Sequence, residues 1–337
     1  MNNDRIIILS SRNAGEKHVS YNTILGLENE FMSCIGKEEN LVTFEYTKVM
    51  VKLNKIMNKC GIKLGFSDRK VVKNIKEKTD HMVFFSLMGM YEAINHMPTL
   101  KKIHNQLILY IFDCWESDYE KWTDILEEIK PCYIFFAYKK ATMHFSKKFN
   151  NCYYMPQSMD INFFFDHKRE KGRLFMQMGR RTELLHSIVL DYLNRKELPD
   201  IPENYIYEKE KGKIIFKSTE ELASEINKTY FFLAAPNNIE NSQMTGAISE
   251  VTARFYEAMA CKSLIIGIKP SDSFDELFPY EDAMIEVTED GFVEKIDELL
   301  NDKEKYKEIV DYNYNYVMEH HRWKNRFEQM IEVLNME

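Results

Sequence analysis

Short apolar runs rich in β-branched and aromatic residues recur along this chain, and charged segments with helical periodicity separate them. Apolar runs of this kind are typical of strands buried in a parallel sheet. Strands that alternate with helices pack as parallel sheets with helices on both faces. The predicted strands are 6–9, 42–44, 81–86, 107–112, 133–137, 152–155, 174–178, 213–216, 230–234 and 264–268. The predicted helices include 182–193, 252–260, 291–300 and 303–333.

The length of 337 residues exceeds one ordinary α/β domain and suits two. The series of strands stops near residue 155 and restarts at residue 174, and the polar segment 164–172 lies between them. We therefore predict an α/β protein with two doubly wound domains, 1–165 and 166–318, which face a central cleft.

The composition narrows the class of protein. A content of 45% hydrophobic and 29% charged residues is typical of a soluble globular chain. The net charge of −8 argues against a general nucleic-acid binder. The six cysteines form no C-x-x-C pair, which indicates reduced thiols, and no apolar run is long enough for a bilayer. We expect a cytoplasmic protein.

The first candidate site follows the predicted strand 174–178. Ligands of open parallel sheets bind beyond the carboxyl ends of the strands. Gly179 permits a tight turn there, and Thr182 is a candidate N-cap of the next helix. Arg180 and Arg181 add positive charge to this helix N-terminus, an arrangement that suits a diphosphate. The alternative is a solvated arginine pair in a turn.

The second candidate site is helix 252–260, which leads into the predicted strand 264–268. Helical spacing places Arg254 and Glu257 on one face. A carboxylate can accept two hydrogen bonds at once, which suits the cis-diol of a ribose. The alternative is an ordinary ion pair within the helix.

Two further candidates lie in the first half of the chain. Asp113 follows the strand 107–112, where it faces the predicted cleft or caps the next turn. The first loop, 10–18, contains His18, which could polarise a hydroxyl group or simply be solvated. His320 and His321 have no Cys or Asp at metal spacing, and no Asp-x-Asp motif occurs, so we predict no metal site.

The run RFYEAMACKSLIIGIKPSDSF at 254–274 resembles the donor-site signature of GT-B glycosyltransferases. In that family a Glu followed by Ala-Met-Ala holds the nucleotide ribose, which implies this role for Glu257. The resemblance extends over nearly the whole chain in segment order but is specific only between about 230 and 268. It implies two Rossmann-like domains, a donor site in the C-terminal one, and a last helix at 319–337 that crosses back to the first.

The sequence departs from the family at two positions. The family's other Glu, eight residues before the ribose Glu, is replaced here by Ser249, so its neighbour Glu250 is a stand-in candidate. The Gly that usually follows Ala-Cys is Lys262. The segment order also resembles phage DNA β-glucosyltransferases, which share the Thr-x-Arg-x-x-Glu arrangement of Thr252, Arg254 and Glu257. That resemblance implies that Asp113 is the general base for the acceptor hydroxyl.

The resemblance implies a glycosyltransferase that uses a nucleotide diphosphate sugar and requires no cofactor or metal. A sugar-nucleotide epimerase and an inactive nucleotide-sugar binder are the alternatives. The expected acceptor is a saccharide or lipid-linked saccharide in surface polysaccharide synthesis, and the hydroxymethylated bases of DNA are the alternative acceptor. Residues 48–78 carry ten basic and two acidic side chains, a candidate face for peripheral contact with an anionic membrane.

Overall fold

The computed structural model describes residues 3–12, 21–45, 53, 56–57, 65, 67–179, 181–199, 203–208, 215–287 and 291–335. The chain forms two compact units. One comprises Met1–Gln157 with Trp323–Glu337, and the other comprises Ser158–Arg322. The division therefore falls earlier than the domain boundary expected at 165, and the polar segment 164–172 lies inside the second unit.

The first unit contains a six-stranded parallel sheet in the order β2-β1-β3-β4-β5-β6. Its central strands are buried on both faces, which explains why their sequences are continuously apolar rather than alternating. The strands are β1 (Ile6–Ser10), β2 (Leu41–Thr43), β3 (Met82–Leu87), β4 (Leu107–Ile111), β5 (Tyr133–Phe136) and β6 (Cys152–Tyr154).

Helices flank this sheet, and the last helix of the chain belongs to the same unit. Trp323 is fully buried there, with its ring edge-on to Tyr110 and Phe112 at 6.0 and 5.8 Å. The Nε of Arg326 donates to the carbonyl of Pro156 at 3.1 Å. The helices are α1 (Tyr21–Ile35), α2 (Arg69–Lys76), α3 (Met90–Leu100), α4 (Tyr119–Ile129), α5 (Lys139–Phe145) and, at the end of the chain, α13 (Trp323–Asn335).

The second unit contains a five-stranded parallel sheet in the order β11-β10-β9-β7-β8. Its strands are β7 (Arg173–Gln177), β8 (Tyr205–Tyr207), β9 (Thr229–Ala234), β10 (Leu264–Gly267) and β11 (Ile285–Glu286). Its helices are α6 (Glu183–Arg195), α7 (Thr219–Asn227), α8 (Asn238–Thr245), α9 (Ala253–Ala260), α10 (Phe274–Leu277), α11 (Phe292–Asn301) and α12 (Lys303–His320).

Two predicted elements differ from the structure. The strand predicted at 213–216 is wrong in its described part, because 215–216 are not in a strand, while 213–214 lie outside the described residues. The edge strand β8 lies earlier, at Tyr205–Tyr207. The single helix predicted at 303–333 is two helices, because α12 ends at His320, before the chain passes from the second unit to the first.

Residues 48–78 were predicted to be largely helical and basic. Of this run, the structure describes α2, where Val71 and Ile75 are buried and Asp68 caps the first turn. Lys48, Lys52, Lys55, Lys59 and Lys63 lie outside the described residues. In the part of the chain that is described, no helix is both long and apolar enough to cross a bilayer.

Candidate functional site

Strand order locates a binding position in the second sheet. The chain runs from β7 outward to β8 on one side and then returns to β9 on the other side of β7. The connections that leave β7 and β9 therefore diverge at their carboxyl ends and open a crevice between them. Open α/β sheets bind ligands at such a topological switch point.

A cavity of about 100 Å³ lies at this switch point. Its walls come from the ends of β7 and β9, the turns that follow them, and the start of α9. The lining residues are Gln177, Met178, Gly179, Thr182, Phe232, Leu233, Ala234, Ala235, Pro236, Asn237, Asn241, Thr252, Arg254 and Phe255. The predicted donor residues Gly179, Thr252 and Arg254 are thus brought together on one cavity.

The turn after β7 connects this strand to α6. Gly179 has a φ of +88°, a left-handed conformation that favours glycine. Thr182 is the N-cap residue of α6, but its side chain makes no capping hydrogen bond. Arg181 is ion-paired with Glu183 at 2.6 Å and lies over the ring of Tyr207. Arg180 lies outside the described residues.

Helix α9 begins beside the cavity, with Thr252 as its N-cap residue. The guanidinium of Arg254 is ion-paired with the carboxylate of Glu257 through Oε2. The Glu257 side chain is 6% exposed, against 33% for Arg254. Arg254 lines the cavity, whereas Glu257, one helical turn further along α9, is not among the lining residues. Within the described part of the chain, the second carboxylate oxygen of Glu257 accepts no hydrogen bond.

The segment before α9 is fixed by the loop after β10. The backbone N–H of Ser249 donates to Asp272 at 2.7 Å, and its hydroxyl accepts from the N–H of Ser271 at 3.0 Å. Glu250 is buried and accepts a hydrogen bond of 2.5 Å from the Ser273 hydroxyl. Glu250 does not line the cavity described above, and the contacts of Ser249 and Glu250 account for the shape of this loop.

Lys262 lies just after α9. Its left-handed backbone conformation explains why the family usually has glycine at this position. Its φ is +53°. Its N–H donates to Met259 and the N–H of Ser263 donates to Ala258, at 3.0 and 2.9 Å. This is a Schellman motif, in which the left-handed residue is usually glycine. The Lys262 amine is paired with Asp166 and Asp311, so the departure from the family lies away from the cavity.

The first sheet also has a switch point, between β1 and β3. The polar side chains at this position form hydrogen bonds with one another. The Ser11 hydroxyl donates to Glu92, and the Glu28 carboxylate accepts from Ser10 at 2.7 Å and from Arg12 at 2.7 Å. Burial raises the pKa of Glu28, although these donors oppose the shift. His18, predicted in this loop, lies outside the described residues.

Asp113 lies beyond the carboxyl end of β4, half buried. Its carboxylate accepts a hydrogen bond of 2.9 Å from the Tyr138 hydroxyl, and its N–H donates to Met88 at 3.0 Å. The ring of Tyr138 packs on Trp115. The side chain of Asp113 is thus held at the carboxyl ends of the strands, as is that of Glu92.

Sequence reasoning missed Gln177, the last residue of β7. Its side chain is buried and lines the cavity. The signal was a polar residue inside the apolar run Leu-Phe-Met-Gln-Met. The described residues contain no group of three or more His, Cys, Asp or Glu side chains placed to hold a metal ion.

Residues 202–332 match a family model described as glycosyl transferase-like. No curated protein sequence matches the chain significantly. The matched region includes α9 and the cavity residues from Phe232 to Phe255, but not the part of the cavity formed by the end of β7 and the turn that follows it. Residues 202–332 are therefore similar to a glycosyl transferase-like domain, and the two parallel-sheet units have the α/β architecture of the GT-B fold.

Solved structures agree on the fold. The N-terminal domain of trehalose-6-phosphate phosphatase from Candida albicans has a TM-score of 0.54 at 9% identity, covering 98% of this chain and 96% of that one. A TarM variant from Staphylococcus aureus, solved with fondaparinux, α-GlcNAc-glycerol and UDP, has a TM-score of 0.51 at 10% identity. That likeness covers 79% of this chain but only 58% of TarM. Because one fold hosts many reactions, the function has to be argued from the site.

Proposed function

We propose that this chain transfers a sugar from a nucleotide diphosphate sugar to an acceptor hydroxyl, with the donor bound in the cavity at the β7/β9 switch point. The observation that carries the proposal is the convergence of three features on one cavity. These are the left-handed turn at Gly179, the N-terminus of α6 and the guanidinium of Arg254. The S. aureus TarM variant was solved with UDP, which supports a nucleotide donor.

Each feature has a role in donor binding. Helix N-termini present unpaired N–H groups and positive partial charge to a diphosphate. Arg254, and in our proposal Arg180 or Arg181, add the positive charge that stabilises the departing diphosphate without a metal ion. Glu257 orients Arg254 through Oε2 and offers its other oxygen to a ribose hydroxyl.

For the first unit we propose an acceptor-binding role, with Asp113 as the general base. A base removes the proton of the attacking hydroxyl, and it must lie within hydrogen-bond reach of that proton. The hydrogen bond from Tyr138 fixes one oxygen of Asp113 and so orients its carboxylate.

The acceptor that we propose is a saccharide or lipid-linked saccharide. The basic run 48–78 would then contact an anionic membrane surface, where each nearby Lys contributes about 1 kcal/mol. The measurement is co-sedimentation with anionic vesicles beside a gel shift with hydroxymethylated duplex DNA, both at physiological salt. Binding to DNA alone would replace this acceptor with a nucleic acid, and binding to neither would leave a soluble saccharide.

The donor proposal is tested by titrating the wild type and Glu257→Ala with a panel of nucleoside diphosphates. We expect the variant to lose about 1–3 kcal/mol of binding, the contribution of charged hydrogen bonds. Unchanged affinity in a folded variant would reject the role of Glu257. Turnover of a nucleotide sugar without any acceptor product would instead favour an epimerase.

The base is tested with Asp113→Asn. We expect the transfer rate to fall by about a hundredfold or more, because general-base catalysis contributes roughly that much. Donor affinity should stay the same, since Asp113 and the donor cavity belong to different units. A fully active variant would contradict this assignment and favour a mechanism that needs no such base.

A further inference from the structure

Gln177 is an unusual residue at its position. It is the last residue of β7, and the three residues before it, Leu174, Phe175 and Met176, are all apolar. Its side chain is only 2% exposed, yet it lines the cavity at the β7/β9 switch point. A buried amide in an apolar strand loses its hydration, so each of its polar atoms requires a partner in the protein or in a ligand.

The oxygen of this amide has a partner. The Tyr205 hydroxyl, from β8, donates to Oε1 of Gln177 at 3.1 Å. The same hydroxyl lies 3.2 Å from Nδ1 of His186, on α6. Burial, followed by the nearby charge of Arg181, lowers the pKa of His186, so the ring is neutral near pH 7 and carries one N–H.

The direction of these hydrogen bonds determines whether Gln177 presents a hydrogen-bond donor or an acceptor to a ligand in the cavity. Because the Tyr205 hydroxyl gives its only proton to Gln177, it accepts from the Nδ1–H tautomer of His186. The amide of Gln177 is then locked with its oxygen toward Tyr205 and its nitrogen away from it. Among the described residues, that nitrogen has no hydrogen-bond partner. Two N–H groups are therefore available to a ligand in the cavity.

The neighbouring backbone indicates which ligand group accepts these hydrogens. Gly179 turns the chain two residues later, and Thr182 opens α6 without capping it through its side chain. The free N–H groups of that helix end attract an anion to the same end of β7. A neutral amide donor beside them adds hydrogen bonds to phosphate oxygens without adding charge.

We propose that Gln177 is a donor-binding residue whose side-chain amide donates to a diphosphate oxygen of the nucleotide, with Tyr205 and His186 as the positioning residues that orient it. This inference rests on the proposed function, because it requires a nucleotide diphosphate in this cavity. It assigns the recognition of the diphosphate partly to a neutral side chain.

The test compares the wild type with Gln177→Glu by calorimetric titration with UDP, GDP and ADP and with the corresponding nucleosides, at pH 5 to 8. The substitution keeps the acceptor for Tyr205 but replaces the amide donor by a carboxylate. We expect diphosphate affinity to fall by roughly 10- to 100-fold at pH 8, the effect of exchanging a donor for a like charge. Affinity should recover as the pH falls, because a protonated carboxyl group donates again. Nucleoside affinity should change little.

Positioning is tested with Tyr205→Phe against Tyr192→Phe. Both tyrosines are buried in the same core, and the Tyr192 hydroxyl donates to Asp297 at 3.0 Å, so each variant loses one bonded hydroxyl. We expect only Tyr205→Phe to lower the ratio of diphosphate to nucleoside affinity, by roughly threefold or more, although both variants lower the melting temperature. Equal ratios in the two variants would show that Tyr205 has only a structural role.

The outcomes separate the two proposals. No diphosphate binding by the wild type would overturn the proposed function and this inference together. Diphosphate binding by the wild type with unchanged affinity in Gln177→Glu at pH 8 would overturn this inference alone. An equal loss of nucleoside and diphosphate affinity would also overturn it, because the amide would then contact the nucleoside.

Discussion

The two ends of the second sheet each hold a cavity, and the two cavities differ in size and in charge. The cavity at the carboxyl ends has a volume of about 100 Å³. The cavity at the amino ends has a volume of about 520 Å³ and is lined by Asp166, Lys262 and Asp311, among others. Cavity size and the number of charged groups would thus both select the amino end.

The hydrogen bonds instead favour a ligand site at the carboxyl ends of the strands. At the amino end, the Lys262 amine lies 3.0 Å from Asp166 and 2.6 Å from Asp311, so each of these charged groups already has a partner in the protein. At the carboxyl end, the Gln177 nitrogen and one oxygen of Glu257 have no partner among the described residues. We therefore place the proposed ligand site at the end of the sheet where the fold leaves these groups unpaired beside a switch point, rather than at the larger and more highly charged cavity.

The largest expected effect comes from Gly267→Ala at the carboxyl end of β10. Gly267 has a φ of +156°, and an added Cβ would lie 1.8 Å from the carbonyl oxygen of Ala234, which lines the donor cavity. Because the Cβ is fixed by the backbone of β10 and the carbonyl oxygen belongs to the backbone of β9, the two strands would have to separate. We expect a loss of about 3 kcal/mol or more in the free energy of unfolding. Urea denaturation measures it.

Gly172→Ala is the matched control at the amino end of β7. An added Cβ there would meet nothing within 4 Å. Its N–H, which donates to Lys228 at 2.9 Å, is retained. We expect a change of within about 0.5 kcal/mol. Similar losses in the two variants would show that the close packing of β9 and β10 is not what shapes the carboxyl end.

We expect effects of intermediate size from replacing two arginines, each of which is paired with a glutamate. Arg254 pairs with Glu257 beside the donor cavity, whereas Arg173 pairs with Glu225 at 2.8 Å at the amino end. We expect Arg254→Ala to weaken nucleoside diphosphate binding by about 1–3 kcal/mol, and Arg173→Ala to lower stability by a similar amount without a change in affinity. Calorimetry and urea denaturation of both variants measure these effects. An affinity loss in Arg173→Ala would place nucleotide at the amino end.

The smallest effect concerns the pH dependence of the Lys262 cluster. Burial raises the pKa of Asp311, but the hydrogen bonds from Lys262 and Lys307 lower it by a larger amount. The pKa of Asp311 therefore lies below its usual value. Stability from such a carboxylate is present above the pKa of the unfolded chain and is lost as the pH falls through the lower folded value. Because these side chains are partly exposed, we expect Lys262→Met to lower stability at pH 7 by about 1 kcal/mol.

The difference between Lys262→Met and the wild type should shrink below about pH 4, where the carboxylates become protonated. Nucleotide affinity should remain unchanged throughout. A difference that grows on acidification would contradict the assigned pairing. A change in affinity would contradict the separation of the two ends.

Strand positions could be predicted from the sequence because buried parallel strands read as continuous apolar runs. β4 and β9 were predicted to within one residue at each end. β8 was missed because Tyr205–Tyr207 is a short edge strand with no apolar run. The two-residue strand β11 was missed for the same reason.

The site could be predicted only in part. Strand ends and the family resemblance indicated Gly179 and Arg254, since backbone turns and charged residues have a sequence signal. The partnership of Gln177 with Tyr205 joins residues on two strands, and no local pattern encodes it. The left-handed backbone of Lys262 was equally hidden, because lysine at that position gives no sign of the conformation that glycine would indicate.

The most direct test is hydrogen–deuterium exchange of the whole chain with and without UDP, GDP or ADP. We predict slower exchange at 177–182, 234–241 and 252–257 for at least one nucleotide, because bound diphosphate and ribose protect the backbone at the carboxyl ends of β7 and β9. Exchange at 166–171 and 303–311, around the larger cavity, should not change. Protection confined to those amino-end segments would contradict the placement of the donor site.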